Sequence, residues 1–178
     1  ALGAYAATAV TALTAQNTHG VFGIHAVPPE FVAQQMELVL TDIGADCIKT
    51  GMLASVEIIQ AVAGALDRYA PQVPLVVDPV RGAKGGASLR ADRAAAAVVD
   101  HLVRRAMVIT PNIPEAEVLL GRPIPDQAAM AAAALDLLAL GSRAVLLKGG
   151  HMAGEQVVDL LADSTGVTEF SSPRLHST

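Results

Sequence analysis

Val76-Val77-Asp78-Pro79-Val80 and Ile109-Thr110-Pro111-Asn112-Ile113-Pro114-Glu115 decide how this chain folds. Each is an apolar run that halts at a carboxylate or an amide beside a proline. A buried parallel strand reads as such a run, and open α/β sheets place their ligands beyond the carboxyl ends of their strands. Two strand ends side by side would bring Asp78, Asn112 and Glu115 into one crevice. Such oxygens suit hydrated magnesium, which takes one or two carboxylates together with substrate phosphates. The expectation is phosphate chemistry at a rim of strand ends.

Outward from these runs the same alternation continues. Residues 5–15, rich in Ala, Val and Thr, read as a strand, and residues 17–27, with two glycines, as a loop. Pro28-Pro29-Glu30 opens a helix, with proline and acid in the first turn. Its apolar residues Phe31, Val32, Met36, Val39, Leu40 and Ile43 recur at near-helical spacing. Residues 46–50 form a short strand, and Ser55 caps a helix that ends near Tyr69. Residues 75–78 are a strand and 81–89 a Gly-rich loop; Asp92 caps a helix to about Val103. Residues 107–110 are a strand, and Pro114 opens a short helix closed by Gly121. Asp126 caps an alanine-rich helix ended by Gly141, and residues 144–148 are a strand. Residues 156–161 and 167–171 pair around Ser164-Thr165-Gly166 as a hairpin. This order predicts an α/β fold in a single domain, residues 1–178: a doubly wound, mostly parallel sheet with helices on both faces.

Composition narrows the chemistry. The chain has 178 residues, 52% of them apolar but only 3% aromatic, so its core is built from Ala, Val, Leu and Ile. The net charge is −5 and no basic stripe exists, which argues against a nucleic-acid surface; a nucleotide substrate needs only local donors. A lone cysteine, Cys47, excludes a disulfide framework within the chain and a cysteine zinc cage, and is expected to be a small buried side chain. No basic-then-apolar leader opens the sequence and no membrane partner is expected, because no apolar run reaches the ~18 residues a span requires. The expected compartment is cytoplasmic. Walker-A, GxGxxG, HExxH and GxSxG signatures are all missing from the sequence.

Each candidate residue has a plainer reading beside the chemical one. Asp78-Pro79 also starts turns well, and Asn112 and Glu115 also suit a helix cap and its dipole. Lys148-Gly149-Gly150-His151 ends a strand; its glycines would let a phosphate or ribose approach, or it is a plain turn. Lys49-Thr50-Gly51-Met52 has the same form, and Met52 either lines a pocket or fills core. Gln16 offers a donor and an acceptor, suited to an aminated heteroaromatic ring, or simply begins a polar loop.

Taken together, Ala1-Leu2-Gly3-Ala4-Tyr5, Thr11-Ala12-Leu13-Thr14-Ala15-Gln16-Asn17-Thr18, Lys49-Thr50-Gly51-Met52-Leu53, Val77-Asp78-Pro79-Val80, Thr110-Pro111-Asn112-Ile113-Pro114-Glu115-Ala116 and Leu147-Lys148-Gly149-Gly150-His151 resemble, in order and spacing, a known family. These are the hydroxymethylpyrimidine/phosphomethylpyrimidine kinases of thiamine biosynthesis, of the ribokinase-like superfamily. The resemblance implies phosphorylation of 4-amino-5-hydroxymethyl-2-methylpyrimidine and then its monophosphate, with ATP and Mg2+ as cofactors and a homodimer as the assembly. It implies that Gln16 bonds the pyrimidine while Met52 and Val80 wall its pocket. Asp78, Asn112, Lys148 and Gly150 would serve the nucleotide, and Asp78 and Glu115 the metal.

The sequence also departs from the family. Arg81 stands where the family usually has an apolar residue, and Lys84-Gly85-Gly86 where Lys-Ser-Gly is usual. The family's leading Gly-rich segment and its Gly-Thr-Gly-Cys turn, the anion hole with the proposed base, do not occur among the 178 residues. The fold is therefore expected to lack its first strand and its C-terminal anion-hole helix, as an internal fragment of weak activity with no catalytic residue of its own. Two alternatives stand beside this reading: a pyridoxal or pyridoxine kinase of the same superfamily, and a catalytically silent regulatory domain.

Overall fold

The computed structural model of the chain describes residues 3–79 and 88–175. The strands are β1 (Ala12–Asn17), β2 (Gly20–Ala26), β3 (Ile48–Thr50), β4 (Leu75–Val77), β5 (Val108–Ile109), β6 (Ala144–Leu147), β7 (Gln156–Asp163) and β8 (Gly166–Pro173). The helices are α1 (Pro29–Asp42), α2 (Val56–Tyr69), α3 (Ser88–His101), α4 (Ile113–Leu120) and α5 (Gln127–Leu138), with a 3-10 turn at Val103–Arg105. Local chemistry sets most boundaries. Ser55 Oγ accepts from the Ile58 N–H at 3.3 Å, and Asp126 Oδ1 from the Ala129 N–H at 2.8 Å, each satisfying a donor that the first turn leaves unpaired. Gly121 ends α4 at φ 65°, a left-handed conformation open to glycine at little cost.

β3 to β8 form one six-stranded sheet in sequential order. β3 through β6 pair in parallel, and β6–β7–β8 pair antiparallel. The mixed α/β sheet with its closing hairpin is thus as expected. Its burial alternates along each strand. Leu75, Val77, Ile109, Val145, Leu147, Leu160 and Ala162 are buried, while Val76, Val108, Ala144, Leu146 and Leu161 are half-exposed on the opposite face. The reason is topological. Successive crossovers from β3 to β6 advance in one direction, and right-handed crossovers of that kind stack their helices on one side. Among the described strands the order never reverses, so the expected helical covering of both faces is not seen there.

The helical layer supplies the core. α2 buries Ile58, Ile59, Val62, Ala63, Ala65 and Leu66, and α5 buries Met130, Ala133, Ala134 and Leu137. Withdrawing a side chain such as Leu66 or Leu137 from water stabilises the fold by about 1.5–3 kcal/mol. Alanines on α5 let it lie close to the sheet, where it packs on β6 and β7. No helix among the described residues is long and apolar enough to cross a membrane.

Four expectations need correction. The strand expected over residues 5–15 begins only at Ala12. Before it, Val10 exchanges both backbone hydrogen bonds with the Gln35 side-chain amide, at 2.9 and 3.1 Å, so α1 holds this stretch in place of a strand partner. The loop expected over residues 17–27 is mostly β2, paired antiparallel with β1 around Thr18-His19. There Asn17 Oδ1 accepts the His19 N–H at 2.8 Å, a local bond that does the work of an Asn-Gly turn. The helix expected to start at Asp92 starts at Ser88, with leucine, arginine and alanine, all good helix formers, ahead of that aspartate. Cys47, expected buried, is exposed in the coil before β3.

Candidate active site

The carboxyl ends of β3, β4, β5 and β6 make a single rim. Parallel pairing continues one or two residues past each strand. Asp78 N–H donates to Thr50 O at 3.1 Å, Thr110 N–H to Val77 O at 2.9 Å, and Lys148 N–H to Pro111 O at 2.8 Å. Asn112 and Lys148 form an isolated parallel bridge. Sheet hydrogen bonding therefore fixes the backbone that carries Asp78, Thr110, Asn112 and Lys148. Residues two apart share a face, so Lys49, Asp78, Thr110 and Lys148 carry on the face bearing Val76, Val108 and Leu146.

Asp78 is the hub of this rim. Its Oδ2 lies 3.4 Å from Lys49 Nζ and its Oδ1 3.3 Å from Lys148 Nζ. Exposed ion pairs contribute about 0–1 kcal/mol each, so these do little for stability. What they set is local charge. Two ammonium groups around one carboxylate leave this trio of side chains positive, which attracts an anion.

Asn112 and Glu115 meet in a reciprocal cap of α4. Glu115 N–H donates to Asn112 Oδ1 at 3.0 Å, and Asn112 N–H donates to Glu115 Oε2 at 2.8 Å. Both plain readings of these residues are thus realised. The cap also has a spatial result: through the Asn112–Lys148 bridge it sets the N-terminus of α4 against the rim. That end of a helix carries roughly half a positive charge.

The fit to magnesium is that of a metal brought in by a phosphate. No group of three His, Cys, Asp or Glu residues converges among the described residues. Asp78 offers one carboxylate, and Glu115, buried, has one oxygen committed to the cap. Such a set matches an ion that keeps waters and phosphate oxygens as its other ligands. Thr50 and Thr110 add buried hydroxyls with no protein partner at the same strand ends. A buried hydroxyl left unpaired costs about 1–3 kcal/mol, which a bound polar group would remove.

The two glycines after Lys148 differ. A Cβ on Gly149 would fall 1.9 Å from Val158 O, so this residue must be glycine for β7 to pass. Its N–H donates to Asp159 Oδ1 at 2.8 Å. A Cβ on Gly150 would meet nothing within 4 Å. Gly150 is exposed, and its carbonyl accepts from Arg174 Nη1 at 2.9 Å. The lack of a side chain at Gly149 is thus a packing need, while nothing in the protein crowds the space over Gly150.

Gln16 sits exposed on β1, beside a bulge in its pairing with β2, in the separate two-stranded sheet. Met52 follows β3, and its carbonyl accepts from Thr11 Oγ1 at 2.8 Å. That bond ties the segment leading into the hairpin to the rim's first strand. The rim thus gathers Asp78, Asn112, Lys148 and, through the cap, Glu115; Gln16 belongs to a different element. Val80, together with Arg81 and Lys84, lies outside the described residues. The sequence reading missed Thr110, Arg174 and the pairing role of Lys49. Thr110 stood inside a quoted motif, whereas nothing local marks Arg174.

Comparison with known proteins completes the picture. The sequence model of the phosphomethylpyrimidine kinase family matches residues 1–178. The chain is 51% identical over 177 residues to a thiamine biosynthesis bifunctional protein, ThiED, of Geobacter sulfurreducens, covering 99% of the chain and 36% of that protein. It is 43% identical over 176 residues to the hydroxymethylpyrimidine/phosphomethylpyrimidine kinase of Escherichia coli, covering 98% of the chain and 66% of that enzyme. The chain thus spans about a third of the first relative's length and just under two thirds of the second's. A crystal structure of phosphomethylpyrimidine kinase from Clostridium difficile superposes with a TM-score of 0.81 at 38% identity, over 95% of this chain and 72% of that one. A pyridoxal kinase from Staphylococcus aureus in complex with AMP-PCP gives 0.84 at 28% identity, over 96% and 62%. By family match, identity and fold alike, the chain belongs to the phosphomethylpyrimidine kinase family.

Proposed function

We propose that this chain carries the strand-end rim of a kinase that transfers the γ-phosphoryl group of ATP to the 5-hydroxymethyl group of 4-amino-5-hydroxymethyl-2-methylpyrimidine, and then phosphorylates the monophosphate. One observation supports this above the others: Asp78 lies between Lys49 and Lys148 at the rim where the N-terminus of α4 arrives. Phosphoryl transfer needs little covalent help from protein; it needs held phosphates and neutralised charge. Lys148, Asn112, Gly150 and the α4 N-terminus suit the triphosphate. Gln16, on the hairpin, suits the amino group and ring nitrogen of the pyrimidine, with Met52 and Val80 as apolar walls. Magnesium, which Asp78 and Glu115 would hold on the protein side, would supply neutralisation of phosphate charge. In the transfer the hydroxymethyl oxygen bonds to the γ-phosphorus as the bond from that phosphorus to the ADP oxygen breaks, ADP leaves, and the hydroxyl proton passes to solvent water; no residue of this chain is assigned as the base.

Identity favours pyrimidine over pyridoxal. Relatives named hydroxymethylpyrimidine/phosphomethylpyrimidine kinase are 39–45% identical, while the solved pyridoxal kinases superpose well at only 27–29%. The test is calorimetric titration of the chain with ATP, with the hydroxymethylpyrimidine and with pyridoxal. Binding of ATP and of the pyrimidine, with pyridoxal weaker, is expected. A folded chain that binds neither would overturn the reading, and tighter binding of pyridoxal would replace it with the B6-kinase alternative. The 178 residues contain no Gly-Thr-Gly-Cys turn. Expressed alone, the chain is therefore proposed to turn over about 10²-fold or more below a full-length relative. A cytoplasmic homodimer is the proposed state, which sedimentation of the chain checks.

A further inference from the structure

We propose that Arg174 is a positioning residue for the nucleotide, acting through the Gly149–Glu155 loop that follows Lys148; the proposal rests on the kinase reading above. Its guanidinium donates to three carbonyls of that loop. Nη1 reaches Gly150 O at 2.9 Å, Nε reaches Gly154 O at 2.7 Å, and Nη2 reaches Met152 O. The Arg174 backbone N–H adds Glu155 O at 2.8 Å. The partners lie 20 to 24 residues away in sequence. A planar fork of five donors can satisfy several fixed acceptors at once; a lysine ammonium, a single point on a flexible stem, cannot reproduce that plane.

The carbonyls held belong to alternate residues, and none of the described peptide bonds is cis. In a trans peptide the C=O and the following N–H point in opposite directions. Pinning the carbonyls of Gly150 and Met152 onto Arg174 therefore turns the N–H groups of His151 and Ala153 away from it. Neither N–H hydrogen-bonds to another described residue. The loop start is fixed separately, by Gly149 N–H on Asp159 Oδ1 and by Met152 N–H on Gly149 O at 2.9 Å. The clamp thus leaves two unpaired backbone donors turned away from the guanidinium just past Lys148, a pattern suited to the oxygens of a nucleotide's phosphate or ribose. Arg174 makes no hydrogen bond or ion pair with the rim groups Lys49, Asp78 or Lys148, so it works by ordering the loop.

The experiment compares the unsubstituted chain with Arg174→Ala and Arg174→Lys, titrating each with ATP and, separately, with the hydroxymethylpyrimidine. For Arg174→Ala, ATP affinity is expected to fall about tenfold or more while pyrimidine affinity stays within twofold. Low millimolar guanidinium should restore part of the ATP affinity, and Arg174→Lys should lie between the two. Unchanged ATP binding by a folded Arg174→Ala chain overturns the proposal, as does an equal loss of both ligands without guanidinium rescue. If Arg174→Ala does not fold, Arg174→Lys decides: selective loss of ATP affinity supports the clamp, and wild-type affinity overturns it. Failure of the unsubstituted chain to bind ATP overturns the kinase reading itself.

Discussion

The strand-end rim and the β1–β2 hairpin are both strands with apolar residues, yet they end in opposite states. At the rim, Val77, Ile109 and Leu147 are at most 1% exposed. On the hairpin, Leu13 is 58% exposed and Phe22 73%. The rim strands β4, β5 and β6 each have a neighbour on both sides and a helical layer against one face. The hairpin strands have only each other, and two-stranded sheets are marginal by themselves. What ties the hairpin down is a short set of bonds at its root: Thr11 to Met52, Val10 to Gln35, and Val27 N–H to Thr11 O at 3.1 Å. Stability is thus concentrated beneath the charged rim of Lys49, Asp78 and Lys148, and the element bearing Gln16 has little bearing on the fold.

That contrast can be broken at several points. The largest expected effect is in the core beneath the rim. Leu147→Ala should lower unfolding free energy by about 2–5 kcal/mol, whereas Leu13→Ala on the hairpin should fall within about 0.5 kcal/mol; denaturant midpoints measure both. Equal losses would sink the division of labour. Next comes the glycine pair. Gly149→Ala should cost about 1–3 kcal/mol or more, because the new methyl meets Val158 O and one of the two backbones must move. Gly150→Ala should leave the melting temperature nearly unchanged, since nothing lies in its way.

Gln16→Ala sharpens the comparison from the other side. Pyrimidine affinity should drop by about tenfold, the worth of one or two ring hydrogen bonds, with melting unaffected. A shift in melting without a change in binding would make the hairpin structural. Asn112→Ala removes one half of the α4 cap and should cost about 1 kcal/mol. Its effect on ATP affinity should exceed that of an equally destabilising core substitution, because the cap also sets the helix N-terminus at the rim.

The smallest effect lies far from both regions, in the β7–β8 turn. The side chain and then the backbone N–H of Thr165 hold the Asp163 carboxyl below its ordinary value. A lowered carboxyl contributes stability when ionised and loses it as pH falls through its folded titration. Asp163→Asn should therefore differ slightly from the parent near neutral pH, and the difference should vanish in acid. A difference that grew on acidification would contradict the assignment.

Much of this was legible in the chain. Val76-Val77-Asp78 and Ile109-Thr110-Pro111-Asn112 could be read as strand ends because a buried parallel strand must be apolar and must stop where polar groups begin. The caps Ser55, Asn112 and Asp126 were readable because a first turn leaves donors that only nearby side chains reach. The hairpin was not, because its turn lacks the usual glycine pair and works through the Asn17 side chain. Nor was the clamp: Arg174 is one arginine in an unremarkable segment, and its carbonyl partners meet it only once β7 and β8 have folded back on the loop.

By itself, then, the sequence determined the alternation of strands and helices, the residues at their ends and the family they belong to, since each follows from local pattern and spacing. Only the tertiary structure decided which of those ends share a rim, that two lysines flank Asp78 there, that one sheet face is left half-exposed, and that Arg174 gathers three carbonyls. Those are facts of register and crossover direction, fixed by the packing of distant segments.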